Sequence, residues 1–266
     1  MPFLLAPSFT SAAVHCVRPT GGSCHSTINA ALFVAAPGDT IRVLPGVYRE
    51  NVSLALENLR LIGAGPRATI IDSPIPMLSA APVTISANRV ELASLAIRNG
   101  GGDGVFVYGT SGVTIRNVKV FGSFFGAGVK ADVSATTVSV IGCELVGGFA
   151  GVSMTGSNHG AIVRGNTIRQ AQVGVELLAD NVLVSGNRIS SFRSYGIRVE
   201  GVRADVRDNV LDLGFEAVAA ISVIGDEPAV LRNRVSNGGP LVVRCLTCAE
   251  ARVFQNTVVG SATAFG

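Results

Sequence analysis

The chain has 266 residues, of which 48% are hydrophobic and 15% are charged, and its formal net charge is +3. Such a small positive charge, spread evenly along the chain, argues against a nucleic-acid partner. No apolar run reaches the roughly 18 residues that a transmembrane segment needs. The high apolar content therefore indicates short strands that all face one continuous core.

The first 25 residues are predicted to be an N-terminal extension. The opening MPFLLAPSFTSAAVHC is apolar but has no basic segment, so it fits either a trimmed secretion signal or a plain extension. We expect an extracytoplasmic protein, either secreted or in the periplasm or at the cell surface. Cys16 and Cys24 enclose the turn RPTGG and could form a local bridge, while His15 and His25 could form a loose metal site. The alternative for both pairs is that they carry no chemistry.

Residues 26–36 are predicted to form a short capping helix, with Ser26 or Thr27 as the N-cap and Pro37 and Gly38 ending it. Its apolar face would cover the open end of a solenoid core, which otherwise exposes apolar side chains and strand edges.

Short alternating strands follow, cut by Pro-Gly and Gly-x-Gly turns, in GDTIRVLPGVYRENVSLALENLRLIGAGPRATIID. This arrangement, directly after a helix, resembles the opening coil of right-handed parallel β-helix proteins of the pectin-lyase-like superfamily. The resemblance extends over nearly the whole chain at the level of fold. It implies polysaccharide-related chemistry without selecting one activity.

Five asparagines recur at steps of 21 to 24 residues in similar surroundings: Asn166, Asn187, Asn209, Asn233 and Asn256. Apolar residues continue the series upstream at Cys143, Val118 and Leu95. Eight coils can thus be aligned with one another, in a solenoid of about nine coils in all. We interpret these asparagines as structural, forming a ladder of stacked amides at a bend where asparagine tolerates the left-handed conformation. Cys143 then occupies an inward position and is predicted to be an inert buried thiol.

A second repeated pattern, a small residue followed by Val-x-Val, begins at Gly104, Gly128, Gly151, Gly174, Gly196 and Ala220. Three stacked strands per coil predict an all-β, right-handed parallel β-helix with three parallel sheets over residues 37–266. Because side chains alternate along a strand, the x position points outward. The outward positions are Phe106, Lys130, Ser153, Glu176, Arg198, Ser222 and Val242, followed just beyond the strands by Tyr108, Asp132, Thr155, Leu178, Glu200, Ile224 and Arg244.

The resemblance implies that substrates lie along this sheet. Uronate chemistry needs a cation near the carboxylate and a base near C5, so the candidate catalytic residues are Lys130, Arg198, Glu176 and Tyr195. The candidate substrate-binding residues are Phe106, Tyr108, Asp132, Ser153, His159 and Glu200. The structural alternative is that Glu176 and Arg198, on adjacent coils, form a cross-strand ion pair without any ligand. The flanking loops are short, which favours a flat surface over a groove.

No phosphate-binding, metalloprotease or serine-hydrolase motif is present. The activity signatures of pectate lyases, alginate epimerases, polygalacturonases and pectin methylesterases are also missing. Cys245 and Cys248 lack the second ligand pair of a zinc site and the strand-helix context of a redox motif. We predict no metal site and no cofactor, with calcium binding left open.

The leading hypothesis is an extracytoplasmic carbohydrate-associated protein that binds an acidic polysaccharide, or modifies it as a lyase or epimerase would. The alternative is a non-catalytic cell-surface scaffold. The chain ends in TVVGSATAFG, where another strand would begin, without an amphipathic C-terminal cap. We therefore expect an open C-terminal edge, due either to truncation or to a covering partner such as a second copy.

Overall fold

The computed structural model describes residues 12–74, 81–98, 100–123, 125–132, 134–156, 158–213, 217–237, 241–244 (backbone only) and 250–260. One helix, α1, spans Ile28–Val34. The strands, in chain order, are β1 (Val14–Val17), β2 (Thr40–Val43), β3 (Gly46–Tyr48), β4 (Val52–Leu54), β5 (Arg60–Gly63), β6 (Thr69–Asp72), β7 (Val83–Ile85), β8 (Glu91–Arg98), β9 (Val105–Val107), β10 (Thr114–Phe121), β11 (Ala127–Ala131), β12 (Ser139–Ile141), β13 (Glu144–Val146), β14 (Ala150–Thr155), β15 (Ile162–Arg164), β16 (Thr167–Arg169), β17 (Val173–Leu178), β18 (Leu183–Ser185), β19 (Arg188–Phe192), β20 (Tyr195–Glu200), β21 (Asp205–Arg207), β22 (Val210–Leu213), β23 (Ala219–Ile224), β24 (Ala229–Leu231), β25 (Arg234–Ser236), β26 (Leu241–Arg244), β27 (Arg252–Phe254) and β28 (Thr257–Val259).

The strands form a right-handed parallel β-helix, as predicted, with about ten turns where the sequence predicted about nine coils. One face, sheet I, contains nine strands in the order β26-β23-β20-β17-β14-β11-β9-β7-β4. The other two faces are joined, because β8 and β10 run continuously through the bend between them. We call the face that contains β12, β15, β18, β21 and β24 sheet II, and the face that contains β13, β16, β19, β22 and β25 sheet III.

The core is a single apolar column that runs between the three sheets. In sheet I the two valine-type positions of every repeat point inward, and Val105, Val107, Val175 and Leu177 are fully buried. Period-two alternation therefore assigned inside and outside correctly along this sheet. Each coil closes its apolar surface only against the coils above and below it.

The asparagines occupy the bend between sheets II and III, and hydrogen bonds link each to the next. Asn166 Nδ2 donates to Asn187 Oδ1 at 2.9 Å, and the same oxygen accepts the Asn166 backbone N–H at 2.9 Å. The Nδ2 group of Asn187 donates one of its two protons to the carbonyl oxygen of Val163 at 2.9 Å. The same bonds join Asn187 to Asn209, Asn209 to Asn233 and Asn233 to Asn256. The side chains of Asn187, Asn209 and Asn233 have both amide protons and the amide oxygen satisfied by the protein itself, so nothing in these three is left to hold a ligand.

The left-handed residue of this bend is not the asparagine, and the prediction on this point is wrong. Positive φ angles occur one position earlier, at Ser94, Asn117, Gly142, Gly165, Gly186, Asp208, Arg232 and Gln255. The residue before the asparagine makes the turn, which aims the amide of the asparagine into the interior. Upstream, Cys143 takes the same position with an apolar side chain, and burial raises the pKa of its thiol to about 11.

Close contact with the neighbouring coil requires the glycine of five repeats of sheet I, namely Gly104, Gly128, Gly151, Gly174 and Gly196. A Cβ on Gly174 would lie 2.3 Å from the carbonyl oxygen of Gly196 and 2.6 Å from Cγ2 of Ile189. Its φ is not in the positive range. The chain turns from sheet III into sheet I here, and the neighbouring coil leaves no room for a side chain on Gly174.

The predicted capping helix is confirmed, with Thr27 as the N-cap that accepts the Ala30 N–H at 3.1 Å. Residues 12–25, within the predicted extension, contribute strand β1, which pairs in parallel with β2. Cys16 and Cys24 are joined in a disulfide. Cys245 and Cys248 lie outside the described residues, as do residues 261–266, so the open C-terminal edge stays a prediction.

Asp39 ties these N-terminal parts together. Its buried carboxylate accepts the backbone N–H groups of Ala13 at 2.7 Å and Ala36 at 2.8 Å, and it lies 2.8 Å from His15 Nε2. The Ala36 hydrogen bond, together with the His15 contact, holds the pKa of Asp39 below its usual range. One carboxylate thus joins β1, the end of α1 and the start of β2.

We expect Asn187→Ala to destabilise the protein by about 2–4 kcal/mol, because it leaves the buried N–H groups of Asn166 without an acceptor. Chemical denaturation should show a lower midpoint for this variant. The matched control is Thr167→Ala, an exposed neighbour at the same bend, which should change stability by under ~0.5 kcal/mol. Equal midpoints for the two variants would contradict a stabilising role for the asparagines.

We expect Asp39→Asn to lower the free energy of unfolding at pH 7 by about 1–3 kcal/mol, through loss of charge-assisted hydrogen bonds. A carboxyl group with a lowered folded pKa stabilises the protein above its unfolded pKa of ~3.9 and loses that effect as the pH falls through the folded value. The difference from the parent protein should therefore disappear in strong acid. The control is Glu250→Gln, since Glu250 is exposed. A difference in unfolding free energy between Asp39→Asn and the parent protein that did not change with pH would contradict this explanation.

Candidate functional site

The outward residues of sheet I stand in two rows that run along the axis of the β-helix. Strand register aligns the first row in the predicted order Phe106, Lys130, Ser153, Glu176, Arg198 and Ser222. The second row contains Thr155, Leu178, Glu200 and Ile224. Parallel in-register stacking places each of these side chains beside its counterpart on the neighbouring coils.

Glu176, Arg198 and Glu200 form a compact ionic cluster on β17 and β20. Arg198 Nη1 lies 3.1 Å from Glu176 Oε1, and its Nε lies 3.0 Å from Glu200 Oε1. The Tyr195 ring packs beneath the guanidinium, with 5.6 Å between the ring centroid and Cζ. Tyr195 also covers a small apolar cluster of Ala127, Ala150 and Val173. The predicted cross-strand pair of Glu176 with Arg198 is present.

The two carboxylates hold the guanidinium in its charged state. The hydrogen bonds that Arg198 donates to Glu200, with further attraction from Glu176, raise the pKa of Arg198 above its ordinary value. Arg198 is therefore a permanent cation, although two carboxylates share its charge. A ligand that binds Arg198 must compete with them or extend their network.

A second group lies toward the N-terminal end of the sheet. The rings of Phe106 and Tyr108 stack with centroids 5.6 Å apart. Lys130 Nζ lies 4.0 Å from Asp103 Oδ2, and Asp103 also accepts the Ala127 N–H at 2.8 Å. The side chain of Asp132 accepts the hydroxyl of Ser134 at 2.7 Å, which closes a local turn.

Two predicted residues stand apart from both groups. The side chain of Ser153 is almost fully covered by its neighbours on the row. His159 lies at the corner between sheets I and II, where its Nδ1 is 3.5 Å from Asp180 Oδ2. Asp180 in turn accepts the Val202 N–H at 2.7 Å, so this pair belongs to the loops of that corner.

The predicted catalytic residues do not all converge. Tyr195, Arg198 and Glu176 are in contact or nearly so, but Lys130 lies on β11, three strand steps from Arg198 on β20. At the usual strand spacing this is about 14 Å along the axis. Lys130 and Arg198 can serve different units of one polymer, but they cannot act on the same atom.

A cavity of about 650 Å³ lies at the corner where sheet III turns into sheet I. Its walls include two exposed aromatic rings, Phe125 and Phe149, which are 85% and 44% accessible. The polar lining consists of Gln170, Gln172, Arg193 and Ser194. Backbone hydrogen bonds from Phe149 to Gly126 and from Ser194 to Gln172, both 2.8 Å, hold the successive turns of this corner in register.

These cavity residues were not predicted from the sequence. A signal existed, because each lies within a few residues before Tyr195 or the small residue that opens a strand of sheet I. Loop residues at such positions have no fixed side-chain direction, and only the folded corner shows that they share one cavity. Tyr195 follows Ser194 directly and connects the cavity to the row of sheet I.

Within the described residues, no group of three or more His, Cys, Asp or Glu side chains is placed to hold a metal ion. His15 and His25 have ring centroids 6.0 Å apart, and His15 is engaged by Asp39. Among all the residues that the structure describes, no helix has the length and hydropathy of a membrane span, and α1 contains only 7 residues.

Solved structures with the same fold include several enzymes. An alginate lyase from Paenibacillus sp. str. FPU-7 aligns with TM-score 0.74 and 13% identity, covering 95% of this chain and 97% of that one. A polygalacturonase from Erwinia carotovora ssp. carotovora aligns with TM-score 0.54 and 12% identity over 96% and 99% of the two chains. The pectate lyase Pel9A aligns with TM-score 0.57 and 12% identity over 94% and 80%. At this identity the likeness shows the shared fold.

No curated protein sequence matches the chain. Residues 103–265, more than half of the chain, match the family described as right handed beta helix region. The match begins at Asp103 and covers the strands of sheet I that carry both groups of outward polar residues. The chain thus belongs to the right-handed β-helix family and has the pectin-lyase-like fold that its opening coil predicted.

Proposed function

We propose that this protein binds an acidic polysaccharide, with the polymer lying along sheet I and one stretch of it seated in the corner cavity. The observation that carries the proposal is the lining of that cavity. Exposed aromatic rings offer apolar faces to sugar rings, and amide side chains can both donate to and accept from hydroxyl groups. Phe149, Gln172 and Arg193 supply these three kinds of contact within one concave surface.

The distribution of charge supports Arg193 as the partner of the acidic group of the sugar. The predicted residues of sheet I contain two cations, Lys130 and Arg198, and three carboxylates, so their formal charge is −1. Arg193 is exposed, and in the described part of the chain no acidic side chain lies within ion-pair distance of it. A carboxylate on the polymer would therefore pair with Arg193, while the carboxylates of sheet I accept sugar hydroxyls.

The geometry suits a linear polymer parallel to the axis. The cavity takes residues from the turns that precede β11, β14, β17 and β20. The same four coils carry Lys130, Ser153, Glu176 and Arg198 on the adjacent face. A chain along this edge meets a repeated set of contacts about every 4.8 Å, and the Phe106–Tyr108 stack lies one coil further on.

We place the protein outside the cytoplasm. The Cys16–Cys24 disulfide supports this location, because such bonds persist in oxidising compartments. The structural neighbours named above carry names of enzymes that act on alginate, pectate and polygalacturonate, which are acidic polysaccharides.

Modification of a uronate polymer is a second candidate function, favoured by the contact between Tyr195 and Arg198. In β-elimination a base removes the C5 proton, a cation stabilises the charge that develops on the carboxylate, and the C4–O bond breaks to leave a double bond. Return of a proton to the opposite face of C5 would instead give an epimer. Tyr195 supplies the proton-transfer group, Arg198 with Glu176 supplies the electrostatic site, and Lys130 binds a more distant unit.

We expect Arg193→Gln to weaken binding of polygalacturonate by about tenfold, the equivalent of ~1.4 kcal/mol for one charge-assisted hydrogen bond. Isothermal titration calorimetry measures this directly. Arg203→Gln is the control, since Arg203 is also exposed but lies beyond β20, at the opposite edge of sheet I. A tenfold loss in both variants, or in neither, would contradict the role of the cavity.

For the catalytic candidate, we expect polygalacturonate or alginate to yield unsaturated products, read by their ultraviolet absorbance, or a changed C5 configuration, read by NMR. Tyr195→Phe removes only the hydroxyl, so activity should fall by at least ~100-fold, typical of the loss of a general acid or base. Polymer binding should persist in this variant. Unchanged absorbance and NMR with the parent protein would reject catalysis and leave the binding proposal standing.

A further inference from the structure

A row of arginines follows the bend between sheets II and III, away from sheet I. Each of four successive coils places at least one arginine within two residues of the left-handed position of the bend. These residues are Arg164, Arg188, Arg207, Arg232 and Arg234. We call this set the basic track.

The basic track alternates between the two sides of the bend. On sheet II, Arg164 pairs with Ser185, which pairs with Arg207, so the arginines occupy every second coil. On sheet III, Arg188 pairs with Val210, which pairs with Arg234, on the coils in between. Arginines on one side are therefore about 9.6 Å apart, and the two sides together present one cation about every 4.8 Å.

Much of this charge is not neutralised by the protein. Arg207 lies 3.5 Å from Asp205, and Arg232 lies 2.7 Å from Asp208. Arg164, Arg188 and Arg234 are exposed. Among the described residues no acidic side chain lies within ion-pair distance of these three. The three unpaired arginines lie on the first, second and fourth of these coils, and exposed cations repeated along one axis form an attractive potential for a chain that carries many anions.

Two adjoining cavities extend the track toward the N-terminal coils. The loop 64–68 forms one wall of a cavity of about 630 Å³, which is also lined by Lys119, Glu144 and Arg169. Arg67 contributes a further cation, so three cations surround the single carboxylate. A smaller cavity of about 270 Å³ shares Pro66, Lys119 and Glu144 with the first and reaches Gly165, directly beside Arg164.

We propose that the basic track and these cavities form a second binding surface, which takes a linear polyuronate along the bend between sheets II and III. The surface shares no residue with the corner cavity or with the rows of sheet I. A protein with both surfaces can hold two polymer chains, or two stretches of one chain, on different sides of the same β-helix.

The chemistry of the track favours a polysaccharide over a nucleic acid. Residues 162–170, 183–190, 205–212 and 229–236 contain no aromatic residue. Single-stranded nucleic acids bind largely by stacking bases on aromatic side chains, which this surface does not offer. A single file of guanidinium groups instead suits carboxylates that recur along one flexible chain.

The test compares two triple variants of the full chain in binding to polygalacturonate, by calorimetry over a range of salt concentrations. The first is Arg164→Gln with Arg188→Gln and Arg234→Gln. The control is Arg18→Gln with Arg49→Gln and Arg203→Gln, which are exposed arginines outside the track. Each triple lowers the formal net charge from +3 to 0, so a mere net-charge effect would act on both equally.

We expect the track triple to weaken binding by at least ~10-fold and to flatten its salt dependence, while the control stays within ~2-fold. Both triples should keep the parent circular dichroism, since the altered side chains are exposed. Equal weakening in both, or none in the track triple, would overturn the proposal. So would a single-stranded oligonucleotide that displaces polygalacturonate at equal concentration.

Repeating the track triple in an Arg193→Gln background separates this surface from the corner cavity. If the cavity does not bind polymer, Arg193→Gln has no effect and the track triple alone still reports on the track. If both surfaces bind, the combined variant should lose the binding that each separate variant retains.

Discussion

Stacking of each coil on the next through parallel backbone hydrogen bonds is the constraint on which the rest of the structure depends. Because neighbouring strands lie about 4.8 Å apart, every side chain has its counterpart from the next coil almost within contact distance. Apolar residues such as Val175 and Ile197 use this proximity to close the core. The asparagines use it to pass hydrogen bonds from coil to coil at the bend between sheets II and III.

The same stacking decides how charges behave on the surface. A carboxylate and a guanidinium on adjacent coils meet directly, as Glu176 and Arg198 do, and their charges are then shared within the protein. Where the neighbouring position is uncharged, an arginine can remain unpaired and exposed, as Arg188 and Arg234 do on either side of Val210 and Arg164 does beside Ser185. A solenoid therefore sorts its charges into neutralised clusters and free rows according to which residue follows one coil later.

Much of the fold could be predicted because its signals are local and repeated. Three examples are the steps between asparagines, the alternation in Gly174-Val175-Glu176-Leu177 and the helix cap at Thr27. Each of these patterns follows from the geometry of a single coil or a single helix end. The conformation of the bend was the exception, since the left-handed residue is Gly165 or Asp208 and not the asparagine after it. Three of the eight residues at this position are glycine, so residue type alone did not mark it.

For the candidate site, the sequence by itself determined which polar residues face outward from sheet I and in what order they stand, because register follows from the repeat. Only the tertiary structure decided that two carboxylates hold Arg198 and that Phe149, Gln172 and Arg193 share a cavity. The physical reason is that the direction of a side chain on a strand follows from the two-residue period of the strand, which can be read from the sequence. The direction of corner side chains depends on how successive loops pack against one another.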